Sequence, residues 1–346
     1  MATPAFLRLS GLARGARAAI LVPSLFALGL LVIKQPQMAG FSVFGTFAHL
    51  VMVNYSAIER TRSMQAAVLT GVGAVLVSLG TLASTSTWAA VVGAVASGFL
   101  TESPLLASGP AAAVRTASLL SFMLAAAVPT PVRLMIPQLA GWLLAGVVAQ
   151  PALRFLWIQI RSESENAGRR STHSTAGMHS QWFGNATCIG IAMGLAILAA
   201  RLLGLNHAFW VVLGVLPVLS ARGTSPGYTF WHEQAGTLLG FLGGACLVAI
   251  VGVHQAWFWI ALPVLIFFSA YASTAVGFVA GQAAFTVFTV VLFCILSPLD
   301  RHVGIVRVED VAVGGLLSFL VASLQRLGQG TPNQLRLVRI RRGAPQ

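Results

Sequence analysis

The sequence predicts an all-α polytopic membrane protein, with about twelve transmembrane helices in two parallel six-helix repeats. Composition is the first observation behind this. Of 346 residues, 57% are hydrophobic and only 8% are charged, whereas soluble domains carry roughly 25% charged residues. The second is the spacing of apolar runs. A spanning helix needs about 20 mostly apolar residues. Such runs lie near 16–34, 38–54, 64–83, 86–101, 110–128 and 133–155, then near 183–203, 207–220, 234–253, 255–271, 273–297 and 308–325. The third is an echo of the chain in itself at an offset of 169 residues.

The echo centres on His207–Gly244, an apolar helix, a basic turn with Arg222, Gly223, Pro226 and Gly227, and a second apolar helix. Without a gap, the offset superposes Ala39 on Ala208, Val43 on Val212, Gly45 on Gly214, Leu50 on Leu219 and Ser56 on Ser225. It also aligns Gln65-Ala66 with Gln234-Ala235, Leu69 with Leu238, Gly71 with Gly240 and Trp88 with Trp257. Aliphatic matches are cheap in so apolar a chain, so the glutamines, glycines and tryptophans carry the weight. Internal duplication is common among transporters.

In chain order, Arg8, Arg14 and Arg17 precede the first apolar run. That run is too long for a signal-peptide core and more spans follow, so it is read as an uncleaved first helix. The fourth, eighth and tenth runs are short for a bilayer. Pro104, Pro110, Pro129, Pro131, Pro226 and Pro298 fall at proposed helix ends, where proline does least harm. Pro23, Pro137, Pro151, Pro217 and Pro263 fall inside spans, which membrane helices tolerate when neighbours satisfy the freed carbonyls. The blocks are 1–158 (first repeat), 159–182 (polar, Ser-rich linker), 183–326 (second repeat) and 327–346 (basic tail). With the N-terminus inside, sixteen of the 21 Lys and Arg residues fall on the cytoplasmic side. The positive-inside rule therefore places both termini in the cytoplasm.

The same patterns exclude other classes. The net charge of +13 is scattered between apolar runs, with no basic domain to hold a nucleic acid. The three cysteines, Cys188, Cys246 and Cys294, all lie in apolar runs without metal or disulfide spacing. His173 and His179 stand six apart in the linker with no third ligand beside them. No metalloprotease, serine-hydrolase, Walker or dinucleotide motif is present. Neither enzyme chemistry nor a cofactor is expected. The partners expected are the lipid bilayer and a small anionic substrate, and exposed glycine faces allow a homo-oligomer.

Ionisable groups within spans are costly and are functional candidates by default. Arg115 sits early in the fifth run, and Arg307, Glu309 and Asp310 open the last. The arginines suit attraction of an anion, and Asp310 or Glu309 suits proton uptake and release. Arg307 and Asp310 can equally neutralise each other. Glu59 with Arg60 and Arg62, and Glu233 near Arg222, read as charges of equivalent interfacial loops. Gly236, Gly240 and Gly244 recur at four-residue spacing, as do Gly277 and Gly281, and Gly71 matches Gly240 across the echo. Such small-residue faces are read as helix-packing surfaces.

The run FWVVLGVLPVLS, the basic turn and AGTLLGFLGG together resemble the fusaric acid resistance (FUSC) family of bacterial inner-membrane proteins. The closing segment RVEDVAVGGLLSFLVASL, Arg307 to Leu324, is similar to the end of that family's six-helix unit. GFSVFGTFAHLVM and MQAAVLTGVGAVLVSLGTL in the first half resemble a more divergent copy. The resemblance implies export of organic acids, aromatic carboxylates among them, across the bacterial inner membrane. It also implies a distant likeness to plant aluminium-activated malate transporters, which are anion channels. It gives some weight to Arg307 and Asp310. Larger members carry soluble domains after each six-helix block, and here only the linker and tail occupy those places. The leading expectation is a proton-coupled exporter of small organic anions. A passive anion channel and a non-transporting envelope scaffold are the alternatives.

Overall fold

Among the described residues of the computed structural model there are twelve α-helices and no strand. These residues are 4–56, 58–103, 106, 109–155, 178–205, 209–220, 226–252, 255–296 and 303–328. The helices of the first block are α1 (Pro4–Ala27), α2 (Pro36–Phe47), α3 (Glu59–Ser84), α4 (Thr87–Thr101), α5 (Gly109–Ala126) and α6 (Met135–Phe155). Those of the second are α7 (Met178–Leu202), α8 (Phe209–Ser220), α9 (Pro226–Val251), α10 (Gln255–Ala275), α11 (Phe278–Leu296) and α12 (Val303–Gly328). Most of the predicted linker, residues 159–177, and the predicted tail from 329 onward lie outside the described residues, as does the basic turn at Arg222.

Eight of the described helices are long and apolar enough to cross a bilayer: α1, α3, α5, α6, α7, α9, α10 and α11. Of the three runs predicted to be short, α4 and α8 are so, at 15 and 12 residues. The tenth is not, because α10 extends to 21 residues. The short helix the sequence hid is α2, 12 residues prolonged by a π-helical turn at Ala48–Met52. It is apolar on every side and almost wholly buried, as a helix without a polar face must be. Lipid-facing apolar side chains cover the outside, among them Val75, Leu79, Val92, Val147, Leu242 and Ile260. Trp88 and Trp257, partners in the sequence echo, are both exposed at the starts of α4 and α10, where interfacial tryptophans sit.

The packing of α1–α6 has a counterpart in α7–α12. Helix α2 lies on α6 as α8 lies on α12, α3 on α5 as α9 on α11, and α3 on α6 as α9 on α12. The sequence offset extends to individual contacts. A Cβ at Gly45 would meet Trp142 of α6, and one at Gly214 would meet Val311 of α12. Each block's first helix is lent to the other block: α1 packs on α10, and α7 packs on α4. These crossed seams carry two of the apolar cores. One joins Val22, Phe26 and Ala39 to Phe258, Leu262 and Phe288. The other joins Ala90, Phe122 and Met123 to Met193, Ile197 and Val211.

Lipid tails are as apolar as leucine, so close approach and polar pairing hold such helices together. Gly236, Gly240 and Gly244 of α9 all face α11. A Cβ at Gly236 would come within 2.8 Å of the Val279 carbonyl, and one at Gly244 within 3.2 Å of Val290. Gly281 approaches Ser273 as closely. Two glycines do not follow the reading. Gly71 has nothing within 4 Å, because its side of α3 is turned outward. Gly277 also meets nothing. It lies just past the end of α10 with φ +135°, so it serves the turn into α11.

A polar tie crosses the blocks at the end of α7. One Arg201 nitrogen, Nη2, donates to the Ser84 carbonyl at 3.0 Å and to the Ala126 carbonyl at 2.9 Å. These are the C-termini of α3 and α5, where unsatisfied carbonyls and the helix dipole favour a cation. Replacing Arg201 with alanine is expected to cost about 2 kcal/mol, read as a lower melting temperature in detergent.

Candidate functional site

A crevice of about 370 Å³ opens where the two blocks meet. It is lined by Phe47, Val51 and Met52 at the end of α2, Thr116 and Leu120 of α5, and Leu213 of α8. Ser269 and Ser273 of α10, Phe278, Gly281, Gln282 and Phe285 of α11, and Val311 of α12 complete it. A π turn adds a residue to a helix and shifts which side chains face a given side, and such turns recur at functional sites. Here the turn Ala48–Met52 delivers Val51 and Met52 to the crevice wall. Phe47 of α2 packs across the block boundary, tilted against Phe285 at a ring-centroid distance of 5.2 Å and stacked on Phe288 at 6.0 Å. The wall is therefore aromatic and apolar, with hydroxyls at Thr116, Ser269 and Ser273 and an amide at Gln282.

Behind that amide lies an acid. Gln282 Nε2 donates to Glu233 Oε1 at 3.3 Å, and Glu233 is fully buried. The sequence reading took Glu233 for a loop charge. The structure corrects this, because α9 starts at Pro226, eight residues ahead of the predicted apolar run. Proline is favoured in the first turn of a helix, and the polar stretch to Gln234 is helical. Glu233 therefore enters the bundle one turn before Gly236. The other predicted interfacial acid, Glu59, does lie outside, 3.5 Å from Arg154, with both side chains more than half exposed.

Arg115 does not line the crevice, although its neighbour Thr116 does. Its Nη1 donates to the Thr101 carbonyl at 3.1 Å, and its Nη2 lies 3.5 Å from Glu102. The guanidinium thus closes the C-terminus of α4. Arg307, Glu309 and Asp310 stand on the opening turns of α12, just before Val311, and their side chains lie outside the described residues. Among the described residues no three His, Cys, Asp or Glu side chains gather as a metal site.

Sequence reasoning missed one buried polar chain beside the crevice. His49 is fully buried in the π turn. Its Nδ1 lies 2.7 Å from the Gly45 carbonyl, which can only accept, so this nitrogen carries a proton. Its Nε2 is 3.1 Å from the Thr70 hydroxyl, which also reaches the Ala66 carbonyl at 2.8 Å. Trp142 donates to the Thr70 carbonyl at 3.2 Å. A lone histidine in an apolar run was the available signal.

No curated protein and no solved structure matches the chain. Residues 186–321, from within α7 to within α12, match the family described as fusaric acid resistance protein-like. Family, helix content and apolar span lengths agree on a multi-pass membrane protein with a role in transport. The second six-helix block is thus similar to the fusaric acid resistance protein-like family.

Proposed function

We propose that the chain exports small aromatic carboxylates through the crevice between its two blocks, with proton exchange at Glu233. The observation that supports this most is the crevice itself. Its roughly 370 Å³ falls within the ~300–1,000 Å³ of small-molecule sites, which are mostly apolar with a few placed polar groups. Phe47, Phe278 and Phe285 suit an aromatic ring, and the hydroxyls and Gln282 suit its carboxylate. A buried carboxyl costs several kcal/mol when charged and much less when protonated. In this reading Glu233, hydrogen-bonded to a residue of the crevice wall, passes a change of charge to the cargo site. Asp310 and Glu309 are the alternative proton carriers, and Arg307 the group that attracts the anion. In this reading the blocks are two copies of one unit in a bacterial inner membrane, with both termini cytoplasmic.

The test is uptake of labelled benzoate into inside-out vesicles, with and without an imposed pH gradient. Accumulation that collapses with the gradient is expected. Ser273→Trp, at an exposed crevice position, should lower the flux at least tenfold while leaving insertion intact. Flux indifferent to the gradient would indicate a channel. No flux for any of a panel of organic anions would overturn transport.

A further inference from the structure

A second cavity, of about 630 Å³, lies beside the crevice on the other side of α11. Val279, Ala280 and Ala283 line it, while Gly281, Gln282 and Phe285 line the crevice. At about 3.6 residues per turn the two sets fall on opposite faces of the helix. Phe278, the first residue of α11, lines both cavities. Its side chain is 43% exposed, and exposed side chains change rotamer on the picosecond-to-nanosecond scale. The fold does not demand a phenylalanine at this place. Helix α5 begins at the equivalent position, 169 residues earlier, with Gly109.

The wall that α9 gives to this cavity runs from polar to apolar. Tyr228, Thr229 and His232 line one end. Leu239 lines it about 10 Å further along the helix. His232 Nδ1 is 2.8 Å from the Tyr228 carbonyl, which can only accept, so this nitrogen carries a proton. Nε2 is then the ring nitrogen left for a ligand. It accepts from a carboxylic acid when the ring is neutral and donates to a carboxylate once the ring is charged. The Tyr228 ring lies against the imidazole, with centroids 3.8 Å apart, and restricts its rotation. Tyr228 and Trp231 are both exposed, as aromatic anchors at a membrane–water interface are. A polar mouth at that level and an apolar body match an aromatic acid, with its carboxyl at His232 and Thr229 and its ring against Leu239 and Ala283. Small-molecule sites of roughly 300–1,000 Å³ have this make-up.

We infer that this cavity is a second binding site for the cargo, a small aromatic carboxylate, from which the molecule reaches the crevice past Phe278. The occupant rests on the proposed export of such acids, because Phe278 makes the two cavities neighbours, but the two sites can be read separately. The full chain in a non-ionic detergent is irradiated with para-azidobenzoate, a photoreactive analogue of benzoate, and the labelled residues are mapped by mass spectrometry. Label is expected both in the segment Tyr228 to Leu239 and in the crevice, and excess benzoate should remove both. Leu239→Trp, which fills the second cavity, should abolish the first label and keep the second. His232→Ala should raise the benzoate needed to displace the first label by about tenfold, the loss of one hydrogen bond to a charged group. Label confined to the crevice would overturn the second site and leave the proposed function standing. Label confined to the second cavity would support this site and overturn the crevice reading instead. Absence of benzoate-sensitive label from both would overturn both. Displacement by added phosphatidylglycerol and not by benzoate would make the groove a lipid site and overturn its assignment to the cargo.

Discussion

Glu233→Gln is expected to abolish gradient-driven accumulation. One proton exchanged per cargo lets a gradient of one pH unit sustain about a tenfold concentration ratio, since a tenfold ratio and 1.4 kcal/mol are the same quantity. In the variant that ratio should fall to about one. The substitution keeps the shape of the side chain and leaves an oxygen to accept from Gln282, so folding and downhill flux should persist. Vesicles loaded with labelled benzoate separate the two readouts, because equilibration remains while uphill uptake is lost. Full accumulation by the variant would remove Glu233 from the coupling, and Asp310→Asn would be measured next. The argument depends on burial. A glutamate in an aqueous loop could gain and lose protons without the cargo site being affected, whereas Glu233 has no exposed surface.

Gly314→Ala is expected to be the most damaging single methyl. A Cβ there would run into the backbone carbonyl of Val211, so α8 and α12 would have to separate. Backbone cannot rotate aside as a side chain can. Overpacking of this kind costs about 3 kcal/mol at the upper end of its usual range, enough to lower the detergent melting temperature by several degrees. The first block shows how closely this seam is drawn. The residue 169 positions earlier, Ala145, already carries its Cβ and packs against Gly45. Gly71→Ala is the control. Nothing lies within 4 Å of its added methyl, and alanine is favoured over glycine in a helix by up to about 1 kcal/mol. It should match or exceed the parent in stability.

These two residues show what the chain disclosed and what it withheld. Helix positions were legible because apolar runs of spanning length are punctuated by proline, glycine and charge. Pro36 and Pro226 open α2 and α9 within a few residues of where the sequence reading drew turns. The pairings that match between blocks follow the same 169-residue echo that glycine, glutamine and tryptophan marked. The polar first turns of α9 were not legible as helix, since PGYTFWHEQ has a loop's composition. That hid Glu233. Arg115 lies within the candidate span Gly109–Ala126. Its engagement by Thr101 and Glu102 depends on how α4 ends beside α5, which no local pattern encodes. Glycine spacing marked the α9 face that meets α11, but it could not distinguish Gly71, which faces outward.

The exchange of first helices between blocks has a consequence for how the chain is made. Helix α1 leaves the ribosome long before α10, the helix it packs against. Between Ala27 and Gln255, synthesis at about 5–20 residues per second takes roughly 10–45 seconds. During that interval Val22 and Phe26 have only lipid or a passing neighbour to cover them. The first block can therefore insert early but cannot reach its final arrangement until the second is almost complete. A chain truncated after α6 should remain in the membrane yet be readily degraded, and the second block supplied as a separate polypeptide should restore it.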